Sequence, residues 1–291
     1  MILITGAAGK TGQAVIQALV ERNAPVRAFV YRPEQVARVK GMGVQDVVVG
    51  DMVDDAAFTL AAQGVRAMYH ICSNMNPEEV RIVRIALGAA RTAGVRHFVY
   101  HSVLHPQTEK MPHHWQKMRS EELIFESGLD FTILQPVAYM QNVHAGWQAI
   151  VEQGVYRVPY PVNTRLAMVD LRDVAAVAAA VLTEPGHVGA TYELAGPDVL
   201  TQTEVAGILS ESLGRPVRAE RIPLDEWTES ARQAGLADYQ TETLVKMFRY
   251  YEQFGFRGNA NVLGWLLKRP PTPFRAFVER TVGHKMNDVE W

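Results

Sequence analysis

Three spaced glycines stand between a short apolar stretch and an apolar stripe at helical spacing. They are Gly6, Gly9 and Gly12. Glycine permits a tight turn with positive φ and lets the backbone approach a bound group closely. The free N–H groups and the dipole of the following helix favour a pyrophosphate. The turn therefore predicts a dinucleotide site, contacted by Gly6, Ala8, Gly9, Lys10, Thr11 and Gly12.

This turn has two other interpretations. The segment Gly9-Lys10-Thr11 is similar to the end of the phosphate-binding loop of ATP and GTP hydrolases. That loop needs another glycine five positions before Gly9, where this chain has Ile4. The hydrolase interpretation is therefore disfavoured. A purely structural strand–turn–helix junction remains the alternative.

The residues after the second predicted strand bear on which dinucleotide is bound. An acidic residue at this point would bind the ribose hydroxyls of NAD. This chain has Tyr31-Arg32 there, and an arginine suits the 2′-phosphate of NADP through its charge and its fork of donors. Lys10 adds a second positive charge. We therefore expect NADP(H) to be preferred, while the nearby Glu34 keeps NAD(H) possible. The alternative for Arg32 is a solvated surface residue.

Polar residues also follow the third and fourth predicted strands. The Asp51 carboxylate can accept from an adenine amino group, with Met52 packed on the ring. An Asx turn or a helix cap is the equally common alternative for an aspartate here. Ser73, in the polar segment after the fourth strand, is expected to line the nicotinamide side of the cofactor groove, or else to form a polar turn.

Short strands and helices alternate through the first half of the chain and would position these residues. The predicted strands are Met1–Thr5, Val26–Val30, Val47–Val49, Ala67–Ile71, His97–His101 and Phe131–Leu134. This rhythm predicts an α/β fold, a doubly wound parallel Rossmann-type sheet. We expect residues 1–139 to form it, with a late strand and helix near 166–195 returning to it. Residues 140–291 are predicted to form a smaller, mainly helical C-terminal lobe on the substrate side.

Composition narrows the classes of function. The chain has 291 residues, a formal net charge of −2 and one cysteine, Cys72. The charge does not suggest a nucleic-acid partner. No apolar run approaches transmembrane length and no signal peptide is recognisable, so we expect a cytoplasmic protein without a membrane partner. His97 and His101 lie on a predicted strand, where their spacing does not form a helical metal pair, and no metal is expected.

The chain resembles the NmrA-like group of atypical short-chain dehydrogenases/reductases. The matching features include the glycine turn, Arg32, Gly50-Asp51, Ser102, Lys117, Leu134-Gln135-Pro136, Asn142 and the segment from Val169 to Ala175. The resemblance implies a Rossmann-type domain, NAD(P) binding and a C-terminal lobe that closes over a cleft. The family contains NADPH-dependent reductases of quinones, dyes and phenolics, and also redox sensors that act without turnover.

The resemblance also implies catalytic positions. Typical short-chain dehydrogenases place a tyrosine four residues before a lysine; here His113 stands four residues before Lys117. Lys117 is expected to hold the cofactor, and Ser102 or His113 to orient or protonate the substrate. His113 and His114 are alternatively solvated loop residues. Lys117 is alternatively on a solvated helix face with Arg119, Glu121 and Glu122.

Without the tyrosine, alcohol dehydrogenase and epimerase chemistry is disfavoured, whereas a quinone can accept hydride without a strong acid. We expect an NAD(P)H-dependent oxidoreductase that transfers hydride to a small conjugated or aromatic acceptor. The alternative is a non-catalytic NADP(H) sensor that acts through a protein partner. Tyr139, Asn142 and Trp147 are predicted to line the substrate pocket, with ordinary packing as their alternative. A homodimer is a further possibility.

Overall fold

The computed structural model of the protein describes residues 1–73 and 75–285. It contains two compact units. The first combines Met1–Pro136 with Leu171–Glu193, and the second combines Val137–Asp170 with the chain from Leu194 onward.

A seven-stranded sheet forms the centre of the first unit. Its strands are β1 (Ile2–Ile4), β2 (Val26–Val30), β3 (Asp46–Val49), β4 (Ala67–His70), β5 (His97–His101), β6 (Phe131–Pro136) and β10 (Ala190–Leu194). The order across the sheet is β3-β2-β1-β4-β5-β6-β10. The first six strands pair in parallel. Because the order reverses between β1 and β4, these two strands form the switch point at which ligands of such sheets bind.

Helices cover the sheet of the first unit. They are α1 (Lys10–Glu21), α2 (Gln35–Lys40), α3 (Asp55–Ala62), α4 (Glu79–Thr92), α5 (Pro112–Phe125) and α7 (Leu171–Thr183). Leu3, Met68 and Phe98 point to one face, where they share a core with apolar residues of α3, α4 and α5. Helix α1 packs on α7. The strands are apolar on both faces because both faces are buried.

The α/β fold class predicted from the sequence is confirmed, but helix α5 begins earlier than expected. It starts at Pro112 rather than Trp115. Proline is favoured in a first helical turn because its φ is preset and its missing N–H would have no partner there. His113 and His114 therefore lie on the helix and not in a loop.

The second unit contains two small sheets. Strand β9 (Leu166–Val169) lies between β7 (Ala138–Tyr139) and β11 (Val199–Leu200), and β8 (Val155–Val158) pairs in parallel with β12 (Arg218–Arg221). Within the range 166–195, β9 therefore lies outside the central sheet, whereas α7 and β10 are the helix and strand that return to the first unit or its sheet. A short buried apolar strand does not reveal which sheet it joins.

Helices make up most of the second unit. They are a 3₁₀ helix (Met140–Gly146), α6 (Trp147–Gln153), α8 (Gln202–Leu213), α9 (Leu224–Gln233), α10 (Asp238–Phe254), α11 (Asn261–Leu267) and α12 (Phe274–Lys285). The helical pattern from Leu224 to Phe254 is divided near Gly235, whose φ of +85° ends α9. Within residues 1–73 and 75–285, no helix combines the length and apolar character that a bilayer span requires.

Candidate functional site

The glycine turn between β1 and α1 has no room for side chains. Gly6 has a φ of +57°, and a Cβ at this position would lie 2.9 Å from Ile71 Cγ2. A Cβ on Gly12 would lie 2.3 Å from the Gly6 carbonyl oxygen. Helix α1 begins after Gly9 without a side-chain cap, so its first N–H groups lack a partner within the helix. The turn can therefore present backbone donors to an anion at close range.

A threonine joins the ends of β1 and β4 beside this turn. Thr5 Oγ1 accepts from the Ile71 backbone N–H at 2.9 Å and donates to the Ile71 carbonyl at 3.0 Å. It also lies 3.1 Å from Nδ1 of His70, which is fully buried. Burial lowers the pKa of His70 to about 3, so this imidazole is neutral at neutral pH. The two strand ends that flank the switch point are thus held at a fixed separation.

Arg32 follows β2 and is exposed, as are Tyr31, Lys10 and Glu34. The backbone N–H groups of Tyr31 and Arg32 both donate to Gln35 Oε1, at 3.1 and 3.0 Å. This turn fixes the backbone of Arg32 and leaves its side chain on the surface.

Asp51 forms an Asx turn, which the sequence offered as the alternative to an adenine contact. Its Oδ1 accepts from the Val53 N–H at 3.1 Å. The cap of α3 is Asp54, whose side chain accepts from Ala56 and Ala57. Since a carboxylate has further acceptor sites, Asp51 retains capacity for an amino group. Met52 is half-buried against the core.

Ser73 follows β4 at the same edge of the sheet and is exposed. Its Oγ accepts from Asn76 Nδ2 at 2.9 Å. The preceding Cys72 is buried, and burial raises the pKa of its thiol to about 12. Cys72 is therefore an uncharged thiol rather than a reactive thiolate.

Lys117 is held in a largely buried network and not on a solvated helix face. Its Nζ donates to Glu79 Oε1 at 2.8 Å and to the His101 carbonyl oxygen at 2.9 Å. Nζ also lies 4.9 Å from the centroid of the Tyr100 ring, and the Tyr100 hydroxyl donates to the same Glu79 oxygen at 2.8 Å. Burial raises the pKa of Tyr100 well above its ordinary value, so the phenol stays protonated and donates.

Ser102 follows β5 and donates its hydroxyl hydrogen to Oε1 of Glu121. Gln135 Nε2, near the end of β6, donates to both carboxylate oxygens of Glu121 at 2.9 and 3.0 Å. Glu121 is only 3% exposed, and burial raises the pKa of its carboxyl group while the two donors oppose that shift. Glu121 is therefore not on a solvated helix face, which was the alternative given for Lys117 and its neighbours.

His113, Lys117 and Glu121 recur every fourth residue and therefore share one stripe of α5. Burial lowers the pKa of His113 to about 2, with smaller contributions from His114 and Lys117. The imidazole is consequently neutral at neutral pH and is not an imidazolium acid. Within the described part of the chain, its buried Nδ1 has no hydrogen-bond partner.

The predicted substrate residues lie in the second unit. Tyr139 is in β7 and half-buried, Asn142 is exposed in the 3₁₀ helix, and Trp147 opens α6 and is buried. Trp147 packs edge-on against His144, whose ring stacks on Phe277.

Sequence reasoning missed the partners of Lys117 and Ser102. Glu79 lies in the first turn of α4, where an acidic residue is usually explained by the helix dipole. Tyr100 belongs to an apolar strand, and Gln135 was noted only as part of a family motif. Only the pairing of β4, β5 and β6 brings these residues beside α5. Among the described residues, no group of three or more His, Cys, Asp or Glu side chains could hold a metal ion.

The chain is similar to known proteins over nearly its whole length. The model of the NmrA-like family matches residues 1–290. A (4-alkanoyl-5-oxo-2,5-dihydrofuran-3-yl)methyl phosphate reductase of Streptomyces griseus is 36% identical, over 94% of this chain and 95% of that protein. An NAD(P)H azoreductase of Xenophilus azovorans is 29% identical, over 96% of this chain and 97% of that protein.

The fold of this chain is also similar to that of a solved structure. The crystal structure of an NADPH-dependent quinone oxidoreductase of Escherichia coli, complexed with NADPH, superposes with a TM-score of 0.84 at 29% identity. The superposition covers 99% of this chain and 100% of that one. The glycine turn, the lysine of α5 and the match over residues 1–290 lead to one conclusion: the chain belongs to the NmrA-like family.

Proposed function

We propose that this protein is an NAD(P)H-dependent reductase that uses NADPH in preference to NADH and reduces small conjugated or aromatic acceptors such as quinones. The observation that carries the proposal is the placement of two features at one edge of the central sheet. The glycine turn follows β1, and the Lys117 ammonium is bound to the last carbonyl of β5. Strand β4, with Ser73 beyond its end, lies between them.

The residues at the switch point fit a dinucleotide. A side chain on Gly6 or Gly12 would collide with neighbouring atoms, so the tight turn beside the uncapped helix donors requires glycine at both positions. We assign the pyrophosphate to the backbone of this turn and the 2′-phosphate to Arg32, with Lys10 as a second cation. Asp51 and Met52 would hold the adenine, and Ser73 and Lys117 the nicotinamide half. The preference for NADPH is supported by the quinone oxidoreductase with bound NADPH.

When bound, the reduced nicotinamide supplies a hydride. Lys117 holds a positive charge at a fixed point and donates a hydrogen bond to the ligand. Neutral His113 offers the unpartnered Nδ1 to the acceptor and does not deliver a proton at neutral pH, because its pKa is about 2. Ser102 orients the acceptor by accepting a hydrogen bond through its lone pairs, because its hydroxyl hydrogen is donated to Glu121. Solvent then protonates the reduced product.

This chemistry selects the acceptor class. An isolated ketone needs a hydrogen-bond donor or acid as negative charge develops on its oxygen. A quinone, an azo compound or an unsaturated lactone instead spreads that charge over a conjugated system. The substrates in the names of the relatives are of these kinds. For the second unit, we propose that Tyr139, Asn142 and Trp147 contact the acceptor.

The cellular location is a separate proposal. One cysteine, Cys72, which is buried and uncharged, is consistent with a reducing compartment, and we propose the cytoplasm.

The test is steady-state oxidation of NADPH and of NADH against benzoquinones, azo dyes, an alkanoyl dihydrofuranone and a simple ketone. We expect turnover with at least one conjugated acceptor, a higher kcat/KM with NADPH, and no turnover with the ketone. Tight NADPH binding without turnover on any acceptor would contradict the reductase and favour a regulatory sensor. Failure to bind either dinucleotide would overturn both functions.

A further inference from the structure

Glu79 is a buried carboxylate at the start of α4, with 3% of its surface exposed. One oxygen, Oε1, accepts hydrogen bonds from two side chains at 2.8 Å each, Lys117 Nζ and the Tyr100 hydroxyl. These donors come from α5 and β5. A buried charge is costly unless it is paired and hydrogen-bonded, and Glu79 meets both conditions.

The same contacts restrict Lys117. A lysine ammonium sits on a flexible four-carbon stem and is normally free to rotate. Here Glu79 and the His101 carbonyl take two of its N–H donors, and the Tyr100 ring packs against the charge. An ammonium has three donors. One N–H of Lys117 therefore remains for a ligand, in a direction that the other two contacts determine.

We propose that Glu79 is a positioning residue, which acts through Lys117 by fixing the ammonium so that its remaining N–H meets the bound dinucleotide or acceptor. This inference rests on the role assigned to Lys117 in the proposed function. Glu79 itself need not touch a ligand. Tyr100 supports it by donating to the same oxygen, which holds the carboxylate against rotation.

The energetic coupling between Glu79 and Lys117 distinguishes a positioning role of Glu79 from a purely structural one. If Glu79 acts through Lys117, its loss has little further effect once Lys117 is replaced, because residues in one network are not additive. A carboxylate that only stabilises the fold reduces activity by the same factor in both backgrounds.

The experiment measures kcat and KM for NADPH and a quinone in Glu79→Gln, Lys117→Met and the double variant. Glu78→Gln is the matched control, since Glu78 is the exposed neighbour that pairs with Arg81. We expect Glu79→Gln to lose on the order of tenfold or more of kcat/KM. The double variant should equal Lys117→Met, and the control should match the wild type.

Two outcomes overturn the proposal. The first is an equal loss of kcat/KM for Glu79→Gln with and without Lys117. The second is full activity of Lys117→Met, which removes the role of Lys117 while leaving the reductase itself in place. Absence of turnover in the wild type instead overturns the proposed function. If Glu79→Gln does not fold, Tyr100→Phe replaces it, and its smaller loss should likewise vanish in the Lys117→Met background.

Discussion

Ser102 gives its hydroxyl hydrogen to the buried carboxylate of Glu121. The same carboxylate is held from the other side by Gln135 Nε2. A hydroxyl has one hydrogen to donate and two lone pairs that accept. At this position Ser102 can therefore accept a hydrogen bond from a ligand, but it cannot polarise a substrate carbonyl while Glu121 is ionised.

For Ser102→Ala we predict a larger effect on stability than on catalysis. Glu121 would lose one of its two side-chain donors, which costs roughly 1–3 kcal/mol for a buried acceptor. The kcat with a quinone should fall by less than about tenfold, because loss of a transition-state donor would cost about a hundredfold or more. Urea denaturation and steady-state kinetics measure the two effects. A hundredfold loss of kcat at unchanged stability would refute this assignment.

For Arg32→Ala we predict selective loss of NADPH affinity. A charge-assisted hydrogen bond to a phosphate is worth about 1.5–3 kcal/mol, so the Kd for NADPH should rise by about ten- to a hundredfold while that for NADH changes little. Fluorescence titration with each dinucleotide measures both. Arg38→Ala, an exposed arginine on α2, is the matched control. Equal affinity of the wild type for both dinucleotides would exclude the role given to Arg32.

Gly12→Ala should abolish dinucleotide binding, because the added Cβ would lie 2.3 Å from the Gly6 carbonyl oxygen and 2.8 Å from the Ala7 Cα. The turn must then open, which displaces the N–H groups of α1. Gly88→Ala on α4 is the control. Its Cβ would meet nothing within 4 Å, and alanine should stabilise that helix by about 1 kcal/mol. Calorimetric titration with NADPH measures the affinity of both variants. Equal affinity of Gly12→Ala and Gly88→Ala would contradict the expectation.

The buried histidines predict acid sensitivity. Burial lowers the pKa of His70 and His101 from 6.5 to about 3, of His113 to about 2 and of His114 to about 4. Below pH 6.5 the unfolded chain binds protons that the folded chain excludes. The free energy of unfolding should therefore fall as the pH is lowered from 6.5 towards 4, by up to about 1.4 kcal/mol per pH unit for each histidine.

Urea denaturation at several pH values between 7.5 and 4.5 measures this slope. The variant His70→Asn keeps a side chain able to bond Thr5. It should reduce the slope of the free energy of unfolding against pH by the contribution of one histidine. An unchanged slope in that variant would show that His70 is not excluded from protonation in the folded protein.

Much of the first unit could be predicted from local pattern. Strands β2 and β5 have the expected bounds, and β1, β3, β4 and β6 differ from them by one or two residues. Apolar runs of this kind between turns directly reflect burial on two faces. In the second unit, β8 and β12 were missed. Arg218 and Arg221 are exposed in β12, so its burial pattern lacks the alternation that identifies a strand.

The sequence by itself determined the dinucleotide turn, because glycines at fixed spacing after a strand act through the local backbone. It also placed Ser102 after β5 and Lys117 in the helix that follows. Only the tertiary structure decided what those side chains contact. Glu79 and Glu121 reach them from other elements, 38 and 19 positions away in the chain. Such contacts arise from strand pairing and helix packing. The residue type alone therefore does not distinguish a solvated carboxylate from a buried one that binds a lysine, because burial and the hydrogen-bond partner decide this.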